Sequence, residues 1–184
     1  MYQPLTSNSV ALLVIDIQER LMSAIANRDE VVRNASLLLR LAGIQQIPKL
    51  VTTQYRRGIG EIVPAVDELI GAGEPRYDKT QFSCLANPEA GRALADLGRK
   101  RLILTGVEAH ICVYQTALAC RNDGYDVTVV ADGVGSRTAE NKALGLERLR
   151  ELGCEIAPAE MVIYELLGEA GTPDFKKLLP FLKG

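Results

Sequence analysis

Apolar residues along the chain fall into short continuous runs separated by stretches of helical period. Val10–Ile15 (VALLVI) is the first run and is closed by Asp16; Pro48–Thr53 (PKLVTT), Arg101–Val107 (RLILTGV) and Asp126–Ala131 (DVTVVA) follow. Runs of this length, rich in Val, Ile and Leu and lacking polar alternation, read as strands buried on both faces. Between the first two, Val31, Val32, Ala35, Leu38, Leu39 and Ala42 recur at helical spacing and predict a helix from Arg28 to about Gln46.

Capping signals place the remaining helices. Asn87-Pro88-Glu89 puts a capping side chain, a first-turn proline and an early acid ahead of Ala90–Leu97, with Gly98 as the stop. Gly124 and Gly153 close helices over Ile111–Asp123 and Thr138–Leu152. Thr172-Pro173-Asp174 opens a last helix whose apolar stripe is Phe175, Leu178, Leu179 and Leu182. Strands alternating with helices imply repeated βαβ units, hence a parallel sheet covered on both faces in a three-layer α/β/α fold. Gln54–Asp78 contains Gly58, Gly60, Gly71, Gly73, Pro64 and Pro75 and is read as an irregular connection of the kind that borders a ligand site.

Composition narrows the partners. The 184 residues suit one domain over 1–184, and 47% hydrophobic with 24% charged residues is a globular balance. Lys and Arg number 21 against 23 Asp and Glu, so no basic excess speaks for nucleic acid. Val10–Ile15 is too short to cross a bilayer or to serve as a secretory core, and Met1–Ser9 carries no Lys or Arg. Four cysteines in a chain of this size read as free thiols in a reducing, cytoplasmic setting. With a single histidine, His110, and no CxxC pair, no zinc-site spacing arises, and neither a metal nor a cofactor is expected.

In open parallel sheets ligands bind beyond the carboxyl ends of the strands, so polar residues just after apolar runs are the ones to inspect. Asp16 ends the first strand, Cys112 opens the helix after RLILTGV, and Lys79 lies at the end of the irregular segment. A thiol at a helix N-terminus feels the positive end of the dipole, which favours the thiolate and makes Cys112 the best nucleophile candidate. The plainer reading, a small buried hydrophobe, weighs about evenly for Cys112 on position alone. Asp16 could instead cap toward Gln18–Arg20, and Lys79 alone would be a solvated charge. Together they say more, because a buried Asp needs a cation and a Lys near both could hold a thiolate. His110 lies two residues from Cys112, so the two point to different sides, and His110 reads as structural or as a support behind the site. Cys84, Cys120 and Cys154 read as structural or incidental.

VIDIQ (14–18), KTQFS (79–83), LTGVEAHICVYQTALAC (104–120) and GYDVTVVADGVGSR (124–137) occur in that order. With these motifs the chain resembles the isochorismatase-like cysteine hydrolases over nearly its whole length. TTQYRRGIG, GVEAHIC and FKKLLPFLK are most similar to the subgroup of isochorismatase domain-containing proteins. The resemblance implies a six-stranded parallel sheet and an Asp-Lys-Cys triad at Asp16, Lys79 and Cys112. It also implies a cis peptide between Val107 and Glu108, with the backbone N–H groups of Glu108 and Cys112 as an oxyanion hole. Loops line the pocket in this fold, with Gln18, Tyr55, Phe82 and Glu108 expected among its residues, and Gln54–Gly60 is the segment expected to close over a ligand.

The implied activity is metal-independent hydrolysis of a small molecule, an amide-like C–N bond cleaved through a Cys thioester. VTTQYRRGIG holds no histidine, unlike the metal-binding stretch of nicotinamidases, and isochorismatases proper do not depend on a cysteine at the position of Cys112. Homo-oligomers are common in the family. The competing reading keeps the same thiol for redox or metabolite binding without turnover.

Overall fold

The computed structural model describes residues 4–182. Six strands, β1 (Val10–Ile15), β2 (Lys49–Gln54), β3 (Arg76–Lys79), β4 (Arg101–Val107), β5 (Asp126–Gly135) and β6 (Glu155–Ala157), form one sheet in the order β3-β2-β1-β4-β5-β6. All pairings are parallel, and a short helix, α1 (Glu19–Met22), follows β1.

Both faces of the sheet are covered, and β1 shows how. Val10, Leu12 and Val14 pack on one side with α2 (Arg28–Gln45), α4 (Pro64–Ile70), α8 (Ala159–Leu167) and α9 (Pro173–Leu182). Ala11, Leu13 and Ile15 pack on the other with α5 (Pro88–Asp96), α6 (Tyr114–Asn122) and α7 (Ala139–Glu151). Side chains alternate across a strand, so a strand with two covered faces must be apolar at every position, as VALLVI is. Leu178 anchors α9 in the first core, with Phe175 and Leu182 packed beside it.

The chain runs outward from β1 through β2 to β3, then returns across β1 to β4 and continues outward to β6. This reversal puts the switch in strand order between β1 and β4, and the carboxyl ends of strands at such a switch are where a doubly wound sheet binds its ligands. The two strands meet very closely there. Gly106 pairs with Ile15 at φ 125°, and a Cβ at that position would lie 2.0 Å from the Ile15 carbonyl oxygen. Only glycine allows this approach.

Six elements differ from the sequence expectation. The segment read as an irregular connection contains two short helices, α3 (Arg56–Ile59) and α4, and strand β3, so Lys79 is a strand residue. β3 (RYDK) escaped notice because an edge strand need not be apolar, and β6 has only three residues. The run after Pro158 folds as α8 with no side-chain cap to announce it. The helix expected from Ile111 begins two residues earlier as a π turn, Ala109–Val113, before α6 proper.

Candidate active site

The chain turns sharply where β1 ends. Asp16 has φ 54°, in the left-handed region that Asp tolerates better than most residues. Its carboxylate is wholly buried and is met from two directions. Lys79 Nζ donates to Oδ2 at 2.6 Å, and the Thr52 hydroxyl donates to Oδ1 at 2.7 Å. Lys79 also donates to Gln54 Oε1 at 2.6 Å; Gln54 is its register partner across β2 and β3. Charges can be kept this deep only when such hydrogen bonds replace the lost water.

Cys112 arrives from the β4 side. The Val107–Glu108 peptide bond is cis. The π turn follows, with the Val113 N–H reaching back five residues to the Glu108 carbonyl at 3.2 Å. Turns this wide are concentrated at functional sites. Cys112 rides on it, near enough to Asp16 and Lys79 for both charges to act on its thiol. Asp16 just after β1, Lys79 at the end of β3 and Cys112 on the turn after β4, remote in sequence, are thus brought together as a buried group.

The charge states correct one expectation. Burial first, and then the Asp16 charge, push the Cys112 thiol up to about 12, with Lys79 opposing. The helix N-terminus thus does not make a standing thiolate, because desolvation and a neighbouring anion outweigh it. The resting group is a neutral thiol facing a carboxylate. For Lys79 burial is the largest influence and disfavours the ammonium, but the Asp16 charge, the two nearby thiols and the Asp16 hydrogen bond prevail and raise it above the ordinary value.

A second thiol, read from sequence as structural or incidental, belongs to this group. Cys84, on a short 3-10 turn (Cys84–Ala86), places Sγ 3.5 Å from Thr52 Oγ1, and its backbone N–H donates to Thr116 Oγ1 at 3.0 Å. Burial, followed by the Asp16 charge, pushes it up to about 11. Cys84 has no exposed surface, whereas Cys112 retains 6%. Thr52, Gln54 and Cys84 are the site residues that sequence reading missed. The rule that found Asp16, polar residues at the end of an apolar run, applies equally to Thr52 and Gln54.

Tyr55 and Phe82 are both about half exposed, and the Tyr55 N–H donates to the Lys79 carbonyl at 2.8 Å. Gln18 is fully buried with its amide spent on main chain: Nε2 donates to Gln54 O (3.2 Å) and Gly60 O (2.7 Å), and Oε1 accepts from Gln54 N–H (2.7 Å). It braces the Gln54–Gly60 segment. Glu108 is held by Arg137, whose Nε donates to Oε2 at 2.9 Å. His110 pairs with Ser136, Nδ1 to Oγ at 3.0 Å, and so ties the π turn to the residues after β5.

Comparison with known proteins agrees with this architecture. Residues 10–161 match the isochorismatase domain. The secreted isochorismatase effector Isc1 of Phytophthora sojae is 36% identical over 97% of this chain and 87% of its own length. Isochorismatase domain-containing protein 2 of Xenopus laevis is 35% identical over 95% of this chain and 83% of its own. Among solved structures, the MAR1 ribonuclease of Caenorhabditis elegans superposes with a TM-score of 0.91 at 31% identity, covering 99% of this chain and 93% of that one. YcaC from Pseudomonas aeruginosa, solved with hexane-2,5-diol and covalent acrylamide, also gives 0.91, at 26% identity over 98% and 92%. With the domain matched across most of its length, the chain belongs to the isochorismatase family.

Proposed function

We propose that this hydrolase-fold protein is a cysteine hydrolase of a small carboxamide or a similar C–N bond, working without a metal. The observation that carries the reading is the burial of the Cys112 thiol within the field of Asp16, which is itself paired to Lys79 at 2.6 Å. A neutral thiol beside a carboxylate is an arrangement for general-base activation at the moment of attack.

Asp16 takes the thiol proton as Sγ bonds to the carbonyl carbon, and the carbonyl electron pair moves onto oxygen. The backbone N–H groups of Glu108 and Cys112 are assigned to that oxyanion. Collapse re-forms the carbonyl and expels the amine, which leaves with the proton returned by Asp16. Water then attacks the thioester, again giving its proton to Asp16; collapse releases the acid and the sulfur, which recovers the proton. Lys79 holds Asp16 in place and balances its charge throughout. Tyr55 and Phe82, half exposed, are assigned to the pocket rim. The covalent acrylamide in the Pseudomonas aeruginosa neighbour supports an electrophilic amide as a probe of this thiol.

The Caenorhabditis elegans neighbour is named a ribonuclease. RNA is the weaker choice here because the formal net charge is −2 and phosphate backbones are bound by cationic surfaces. Free thiols at all four cysteines support a reducing, cytoplasmic compartment, and the octameric YcaC of Escherichia coli supports assembly into a homo-oligomer. Incubation with a panel of carboxamides, followed by mass spectrometry of the Cys112 peptide, tests the reading. A mass gain that forms and clears with release of amine supports it; oxidation of Cys112 by peroxide with no acyl adduct from any amide favours redox or binding use.

A further inference from the structure

The back of the site is built as carefully as its front. Asp16, Thr52, Cys84 and Thr116 are all buried to 1% exposure or less. Thr52 stands between the carboxylate and the second thiol, 2.7 Å from Asp16 Oδ1 and 3.5 Å from Cys84 Sγ. A hydroxyl has one proton, and an ionised carboxylate only accepts, so that proton lies on the Asp16 side. The Cys84 contact is then fixed in direction: the S–H donates to Thr52 Oγ1. Cys84 is held in turn by its N–H to Thr116 on α6, the helix that continues the turn bearing Cys112.

We propose that Thr52 is a positioning residue for the Asp16 base, its hydroxyl held by the Cys84 thiol so that the carboxylate stays aimed at Cys112. The inference rests on the cysteine-hydrolase reading and deepens it. With Oδ1 tied to Thr52 and Oδ2 to Lys79, the carboxylate is fixed about its own axis, and its remaining lone pairs serve the Cys112 proton. Lys79 alone would leave one end loose. Valine has the shape of threonine and would fill the space on β2 equally well, so the hydroxyl is what the position uses. The same relay separates the two thiols: Cys84 has its proton committed to Thr52, whereas Cys112 gives its proton to the base.

The test is the rate at which iodoacetamide labels Cys112 near neutral pH, read by peptide mass spectrometry in the intact protein. Thr52→Val slows labelling about tenfold, the scale of one hydrogen bond to a charged group, and Thr52→Ser restores it. In an Asp16→Asn background Thr52→Val has no further effect, because the two act as one unit. Labelling unchanged by Thr52→Val, or slowed equally in both backgrounds, overturns the inference while leaving the hydrolase reading intact. Labelling indifferent to Asp16→Asn overturns both. If Thr52→Val does not fold by thermal melting, Cys84→Ala replaces it: labelling about threefold slower, again only when Asp16 is present, supports the relay, and an unchanged rate overturns it.

Discussion

Lys79 Nζ lies 2.6 Å from Asp16 Oδ2 with both side chains completely sealed from solvent. Neither charge has water to fall back on, so each depends on the other. Lys79→Met strands the carboxylate and is predicted to cost roughly 3–5 kcal/mol, the scale for removing one partner of a buried pair. Lys79→Met combined with Asp16→Asn should cost clearly less than the two single changes added together. Urea unfolding of the four proteins measures this, and additive losses would show that the pair is not coupled.

The contact between β1 and β4 makes a sharper steric prediction. Gly106→Ala would place a methyl 2.0 Å from the Ile15 carbonyl oxygen at φ 125°. A backbone atom cannot rotate aside, so a loss above about 3 kcal/mol, or failure to fold, is expected. Gly43, in α2 and exposed, has nothing within 4 Å of the place a methyl group would take, and Gly43→Ala should stabilise by about 0.5–1 kcal/mol. Thermal melting of both variants decides, and equal effects would refute the close approach.

Alkaline pH should weaken the fold for a defined reason. Buried thiols hold their protons more tightly folded than unfolded: Cys84 and Cys154 stand at about 11 and Cys112 at about 12, against an ordinary 9.0. Above pH 9.0 the unfolded chain releases protons that the folded one keeps, so their contribution is complete below that pH and is lost through 11 and 12. Lys79, raised above 10.5, acts in the same direction further up. Each thiol steepens the fall by about 1.4 kcal/mol per pH unit. The urea midpoint under reducing conditions should therefore drop between neutral pH and about pH 10.5, and less so in Cys154→Ala; a flat profile contradicts the burial account.

How much of this was legible in the chain follows from where each element sits. β1, β2, β4 and β5 are covered on both faces, so their apolar runs identified them. β3 and β6 lie at the sheet edges, where RYDK and EIA carry no such signature. Asp16, Lys79 and Cys112 could be named singly, as an acid, a cation and a thiol near strand ends. Their meeting was implied by the family resemblance and not by the residues themselves, because it depends on strand order and on the pairing of Gln54 with Lys79. Thr52 looked like the end of a strand and Cys84 like an incidental thiol, because each acquires meaning only from Asp16 between them and the nucleophile. The charge state of Cys112 was out of reach for a similar reason: a helix terminus can be read from residue order, but depth cannot.

The central claim is that Asp16 acts as base to Cys112 and to no other thiol. Acrylamide labelling near neutral pH, resolved to all four cysteine peptides in the wild type and in Asp16→Asn, tests it most directly. Cys112 should label first, well ahead of Cys84, Cys120 and Cys154, and Asp16→Asn should slow it by tenfold or more while leaving the other three as they were. Equal labelling of the four cysteines, or a Cys112 rate untouched by Asp16→Asn, would contradict the account.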